Sequence, residues 1–148
     1  MANAEHQPQD PAQVRKQALA VLRADGVCFL ATTDGDQPRL RPITHVKTEG
    51  FTVYVVNLRS HNKTQEIANN PKVELCYLDK QHRQVRITGV AEVVTDSPLL
   101  QEVAGANTLL QACLETIDRS QFVLYRVRPT QVRYMQDWAA DYNRVPLE

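Results

Sequence analysis

Basic and amide side chains gather in two stretches of this chain. Arg39 and Arg41 stand two residues apart. Asn57, Arg59, Ser60, Asn62 and Lys63 follow in a second stretch. Guanidinium forks, an ammonium, amides and a hydroxyl beside a helix start are the donors that hold a phosphate. The same residues in a solvated loop would bind nothing, so the pattern alone leaves both readings open. Other chemistries have less support. GxSxG, HExxH, P-loop and GxGxxG patterns are missing. His6, His45, His61 and His82 have no metal-ligand spacing. Cys28, Cys76 and Cys113 form neither a CxxC nor a disulfide framework, and read as small apolar residues. The acids give no paired-carboxylate motif. No catalytic residue and no metal site is assigned.

The elements that must position these donors follow from periodicity and turn residues. Residues 1–10 are polar and read as a flexible arm. Asp10-Pro11 reads as an N-cap with proline at the first helical position, and Val14, Ala18, Val21 and Leu22 recur at helical spacing. Six strands are expected: Val27–Thr33, Pro38–Lys47, Phe51–Asn57, Lys72–Asp79, Gln84–Thr95 and Phe122–Met135. Alternation puts Arg39 and Arg41 on one face of the second strand. Ser60 is expected to cap a helix over His61–Asn69. Gly89 predicts a bulge or bend in the fifth strand, and Pro129 an edge, bulge or turn of direction in the sixth. Two helices fill the stretch from Asp96 to about Asp118, with a break at Gly105-Ala106-Asn107. Short antiparallel strands with few helices imply an α+β small barrel.

Composition narrows the function classes. The 148 residues suit one domain, and 17 basic residues balance 17 acidic ones. Neutrality argues against a protein that coats nucleic acid or an anionic membrane. No apolar run approaches a membrane span, and the first residues lack a secretory pattern, so a cytoplasmic setting is expected. Neutrality also conceals a segment of net +5 over residues 39–89, where the phosphate donors lie, and a net −5 over residues 90–118.

Four stretches carry a resemblance. Leu30–Pro38 resembles a first hairpin with a T-x-D-G-x-P turn. Arg41-Pro42-Ile43 resembles the start of a flavin strand. Lys63–Val73 follows K-x-x-x-L-x-x-N-P-x-V, and Arg83–Gly89 follows R-Q-V-R-V-x-G almost letter for letter. In this order and spacing they resemble the flavin-binding split-barrel superfamily of pyridoxamine phosphate oxidase, over roughly residues 12–135.

The resemblance implies a six-stranded antiparallel split β-barrel with flanking helices over residues 11–148, binding FMN. Arg41 and Lys63 would hold the FMN phosphate. Asn57 and Asn62 stand where the oxidase has Thr and Arg, Val56 adjoins them, and Ser60 or His61 adds a donor. Backbone groups of Pro42, Ile43 and Thr44 would face the pyrimidine side of the ring system. Gln84 would reach the flavin from the other subunit of a homodimer. Trp138 would cover the flavin or close the dimer. Two departures stand out: the oxidase strand's Lys position is Val46, with Lys47 expected on the opposite side, and no Arg-x-His follows Trp138. The implied function is an FMN-dependent oxidoreductase on a small molecule other than the oxidase's own substrate. The alternatives are a non-enzymatic module of the general stress protein kind, holding flavin, haem or deazaflavin, and a structural dimer with an empty site. For haem, His45 and His61 are the candidate ligands.

Overall fold

The computed structural model describes residues 9–138 and 141–148. Most of the N-terminal arm therefore lies outside the described residues. Helix α1 (Pro11–Arg23) starts as expected: the Asp10 carboxylate accepts from Ala12 N, and Pro11 needs no partner for a missing N–H. Its buried face is Val14, Ala18, Val21 and Leu22, the stripe a 3.6-residue period creates.

The strands are β1 (Val27–Asp34), β2 (Gln37–Thr44), β3 (Lys47–Glu49), β4 (Thr52–Leu58), β5 (Lys72–Leu78), β6 (Gln84–Val93), β7 (Phe122–Met135) and β8 (Asn143–Val145). Helix α2 (Asn62–Asn69) links β4 to β5, while α3 (Ser97–Ala106) and α4 (Thr108–Thr116) link β6 to β7. All pairings are antiparallel, in the order β2-β1-β5-β6-β7-β4-β3, with β8 on β7. The split barrel expected from the sequence is present, with eight strands rather than six.

The difference has a physical origin. β2 and β3 end the two sides of the sheet, yet only His45 and Val46 separate them in the chain. His45 N donates to Gly26 O beside β1, whereas Val46 N donates to Tyr54 O on β4. The expected second strand thus changes partner at this step and carries the chain from one edge of the sheet to the other. The break also upsets side-chain alternation. Val46 packs against the cluster that includes Tyr54, Val103 and Leu124, and Lys47 lies over the Tyr54 ring and pairs with Glu102 of α3. Both residues therefore face α3, not opposite sides.

Gly89 does mark a bulge. The β6–β7 register shifts between Thr88 and Gly89, leaving Thr130 as the extra residue. A Cβ on Gly89 would sit 2.6 Å from Arg128 O, so no other residue fits without movement. The barrel interior is filled by Leu30, Val53, Leu75, Val85, Ile87, Val132 and their neighbours, closed by α1. Cys28 belongs to this core, while Cys76 is only half-buried. A second apolar cluster lies between α3, α4 and the outer face of β4 and β7. No helix among the described residues is long and apolar enough to cross a membrane.

Candidate functional site

Register places the first donors. Arg39 pairs with Thr32 and Arg41 with Leu30, so both arginines share the face on which Leu30 and Thr32 are buried. Helix α2 packs against this end of β1 through buried Ile67, and Asn70 Nδ2 donates to Thr33 Oγ1 at 3.0 Å. That docking brings Lys63 and Glu66 to the arginines. Arg41 donates to Glu66 Oε2 at 2.7 Å, to Thr32 Oγ1 at 2.6 Å and to Leu30 O at 3.3 Å. The Thr32 hydroxyl in turn donates to Glu66 Oε2 at 2.9 Å. The guanidinium is thereby fixed by three acceptors, which limits the entropy lost when it grips a ligand.

Above this base lies a cavity of about 740 Å³, lined by Arg39, Arg41, His61, Asn62 and Lys63, with Asp34 and Glu66 among the remaining walls. Arg39 is paired with Asp34 at 3.0 Å. Lys63 has no carboxylate partner among the described residues. Partial burial, and then the charge of Arg41, hold its ammonium below the ordinary lysine value. The N-terminus of α2 adds to the positive field. His61, not Ser60, is its N-cap, and no side chain caps it. The expected cap fails because Thr64 Oγ1 turns back to Leu58 O at 2.7 Å, tightening the loop so that the helix starts one residue later. The first N–H groups of α2 have no carbonyl within the helix to bond.

Asn57, expected at the phosphate, does not line this cavity. It is 1% exposed and faces the barrel interior just before the α2 loop, and among the described residues neither its Oδ1 nor its Nδ2 has a partner. Such groups are uncommon in folded chains because each costs about 1–3 kcal/mol. The donor set therefore fits a phosphate-bearing group: three cations, two of them paired, and uncapped helix amides around one cavity.

The structure gathers Arg41, His61, Asn62 and Lys63 of the expected residues in this cavity. Ile43 faces the core, while Pro42 and Thr44 are exposed on the opposite face of the same edge strand. Val56 lies on the other face of β4 from Asn57 and packs towards α3 and α4. Ser60 is exposed outside the cavity lining. Gln84 is at the far end of the sheet, where its Oε1 accepts from Tyr142 at 2.9 Å. Trp138 is 63% exposed with a φ of 56° and lies 5.7 Å from the His82 ring. Neither reaches the Arg41–Lys63 cluster within one chain. Sequence reasoning missed Thr32 and Glu66. The signals were a polar residue at an inward strand position and a carboxylate one helical turn after Lys63.

No residue near the cavity shows an activated nucleophile. Burial pushes the Cys28 thiol up to about 11. His45 is held neutral-leaning by burial, and its Nδ1 lies 2.9 Å from the Tyr77 hydroxyl. Among the described residues no cluster of three His, Cys, Asp or Glu forms a metal site.

A sequence profile for pyridoxamine 5'-phosphate oxidase matches residues 14–136. The chain belongs to this family. Among curated relatives, general stress protein 26 of Bacillus subtilis is 25% identical over 139 residues, which span 91% of this chain and 96% of that protein. Two solved structures of the same fold differ in what they are described as binding. A heme binding protein from Mycobacterium smegmatis superposes with a TM-score of 0.75 at 17% identity, covering 95% of this chain and 59% of that one. A FAD-binding protein from Mesorhizobium loti gives 0.63 at 18% identity, covering 79% and 90%. At these identities the structures support the fold alone. Membership in the pyridoxamine 5'-phosphate oxidase family rests on the sequence profile, and the basic cavity on the geometry of Arg39, Arg41 and Lys63.

Proposed function

We propose that the chain is an FMN-dependent oxidoreductase, with the flavin phosphate held between Arg41 and Lys63. The observation that carries this reading is Lys63: a half-buried ammonium without a carboxylate partner among the described residues, inside a cavity already lined by two arginines. A phosphate there supplies the missing counter-charge. Asn62 and His61 add donors at the mouth, and the unpartnered Asn57 amide supplies polar capacity behind them. Glu66 and Thr32 position Arg41 and do not touch the ligand. FMN, when bound, supplies the hydride-transfer chemistry.

The ring system is assigned to the backbone of Pro42, Ile43 and Thr44. β2 is an edge strand, so its outer carbonyl and N–H groups are free to bond the rim of a heteroaromatic ring. A homodimer completes the site in this reading, with Gln84 and Trp138 entering from the second subunit. Its support is the outer face of β2, β1 and β5, where Leu40 is 68% exposed and Val27, Phe29 and Leu78 are each more than two-fifths exposed. Free cysteines suit a reducing cytoplasm. The oxidase's Lys position, Val46, is packed against α3, which favours a small-molecule substrate other than pyridoxamine phosphate. A haem-binding role is less well supported: of its two candidate ligands, the His45 ring is committed to Tyr77, which leaves only the exposed His61 at the basic cavity.

The test is the absorption spectrum of the purified protein, followed by mass spectrometry of any released ligand. A flavin spectrum, bleached by NADH or NADPH and releasing FMN, is the expected result. A protein that is colourless and does not take up added FMN contradicts the reading.

A further inference from the structure

We propose that the cavity between α3, α4 and the outer face of β4 and β7 binds a small carboxylate with an apolar body. This site is separate from the basic cavity, and the proposal does not depend on the flavin. The volume is about 220 Å³, and Val103, Leu110, Leu114, Phe122 and Leu124 line its interior. These side chains offer no hydrogen bond, so the ligand's inner part must be alkyl or aryl.

Arg59 and Arg119 border the same cavity. Neither is in an ion pair among the described residues. Arg59 is held by its backbone, with N donating to Gln121 O at 2.8 Å, and by Nε donating to Ser120 O at 2.7 Å. Its terminal Nη groups carry no bond among the described residues. The nearby Asp118 carboxylate does not neutralise the pair. It accepts from Ser120 N at 2.7 Å and forms no ion pair with Arg59 or Arg119. Glu115 shares a neighbouring groove with Arg119 but forms no ion pair with it. An apolar interior bordered by two guanidiniums without ion-pair partners among the described residues suits a small amphiphilic anion, of which an alkyl or aryl carboxylate is the simplest.

Size limits the ligand further. The cavity holds roughly seven groups of water's size. Hexanoate or phenylacetate fits, and long-chain fatty acids do not. The loop between β4 and α2 carries Arg59 towards this cavity and His61 towards the other, just before Asn62 and Lys63 open α2, so a bound carboxylate would fix the loop that leads into the basic cavity.

Calorimetric titration of the full chain with hexanoate, phenylacetate and the neutral isostere 1-hexanol tests the site. The carboxylates are expected to bind, with hexanol at least about tenfold weaker. Arg119→Gln, an exposed substitution, should weaken hexanoate by about tenfold while leaving hexanol and the melting temperature unchanged. Val103→Phe, which fills the interior, should abolish both. Equal affinity for hexanoate and hexanol, no binding of either carboxylate to the parent chain, or hexanoate binding that survives Arg59→Gln and Arg119→Gln together overturns the proposal.

Discussion

Arg41 and Glu66 meet at 2.7 Å beneath the basic cavity, with Thr32 bridging them. The Glu66 side chain is 8% exposed and that of Arg41 23%, so the pair is shielded but open on the cavity side. One acid thus orients the guanidinium while Lys63, three residues earlier on the same helix, is left without an acid of its own. An anion that enters meets one positioned and one uncompensated cation.

Glu66→Gln should destabilise the ligand-free chain by roughly 1–3 kcal/mol. Breaking a buried pair costs more, and the exposure of Arg41 lowers the figure. Added phosphate or FMN should recover part of that loss, since a bound anion replaces the missing charge and stabilises by mass action. Thermal unfolding with and without ligand checks this. A variant as stable as the parent, or one indifferent to ligand, contradicts it.

Lys63 makes the ligand-free protein more stable at alkaline pH. Its folded value lies below the ordinary 10.5, so between the two values the unfolded chain binds more protons. Stability must therefore rise with pH through that window and be lowest below it. Lys63→Met should remove this contribution and raise stability at neutral pH. Denaturant midpoints from neutral pH up to the ordinary lysine value of 10.5 measure it. Identical pH slopes for parent and variant would show that the group is not desolvated.

Asn57→Leu separates folding from function. Replacing a buried amide that has no partner with an apolar group of similar size should stabilise the ligand-free fold by about 1 kcal/mol. The same change removes polar capacity behind the phosphate and should weaken FMN. A loss of both stability and binding would mean that the amide has a structural partner in solution.

The partition of strand β2 shows what was legible before the structure. Arg39 and Arg41 could be put on one face by alternation, and Gly89 could be read as a bulge, because both depend on local geometry. The change of partner at His45–Val46 depends on where Gly26, beside β1, ends its hold on His45 and the β3–β4 hairpin takes up Val46, and the folded sheet sets that point. The same limit applies to Val56 and Asn57. Alternation places them on opposite faces, but only the finished sheet shows which face is interior. Asp10 could be seen as a cap because its partner is two residues away. Glu66 could not be paired with Arg41 across 25 positions.

Charge placed on the outer sheet face should separate the subunits. Phe29→Glu with Leu40→Glu adds two carboxylates to side chains that are 42% and 68% exposed and hence tolerant of substitution in the monomer. Sedimentation should report a dimer for the parent and a monomer for the double variant. FMN affinity should fall with it, because Gln84 and Trp138 would no longer reach the flavin. A monomeric parent that binds FMN fully would contradict the dimeric site.

The most direct measurement compares FMN with riboflavin, which lacks only the phosphate, by fluorescence titration of the parent and of Lys63→Ala. Charge-assisted hydrogen bonds of roughly 1.5–3 kcal/mol each predict FMN binding at least about tenfold tighter than riboflavin. Lys63→Ala should shrink that ratio while leaving riboflavin unchanged. Equal affinity for the two flavins in the parent, or a ratio untouched by Lys63→Ala, would contradict the assignment of this cavity to the cofactor phosphate.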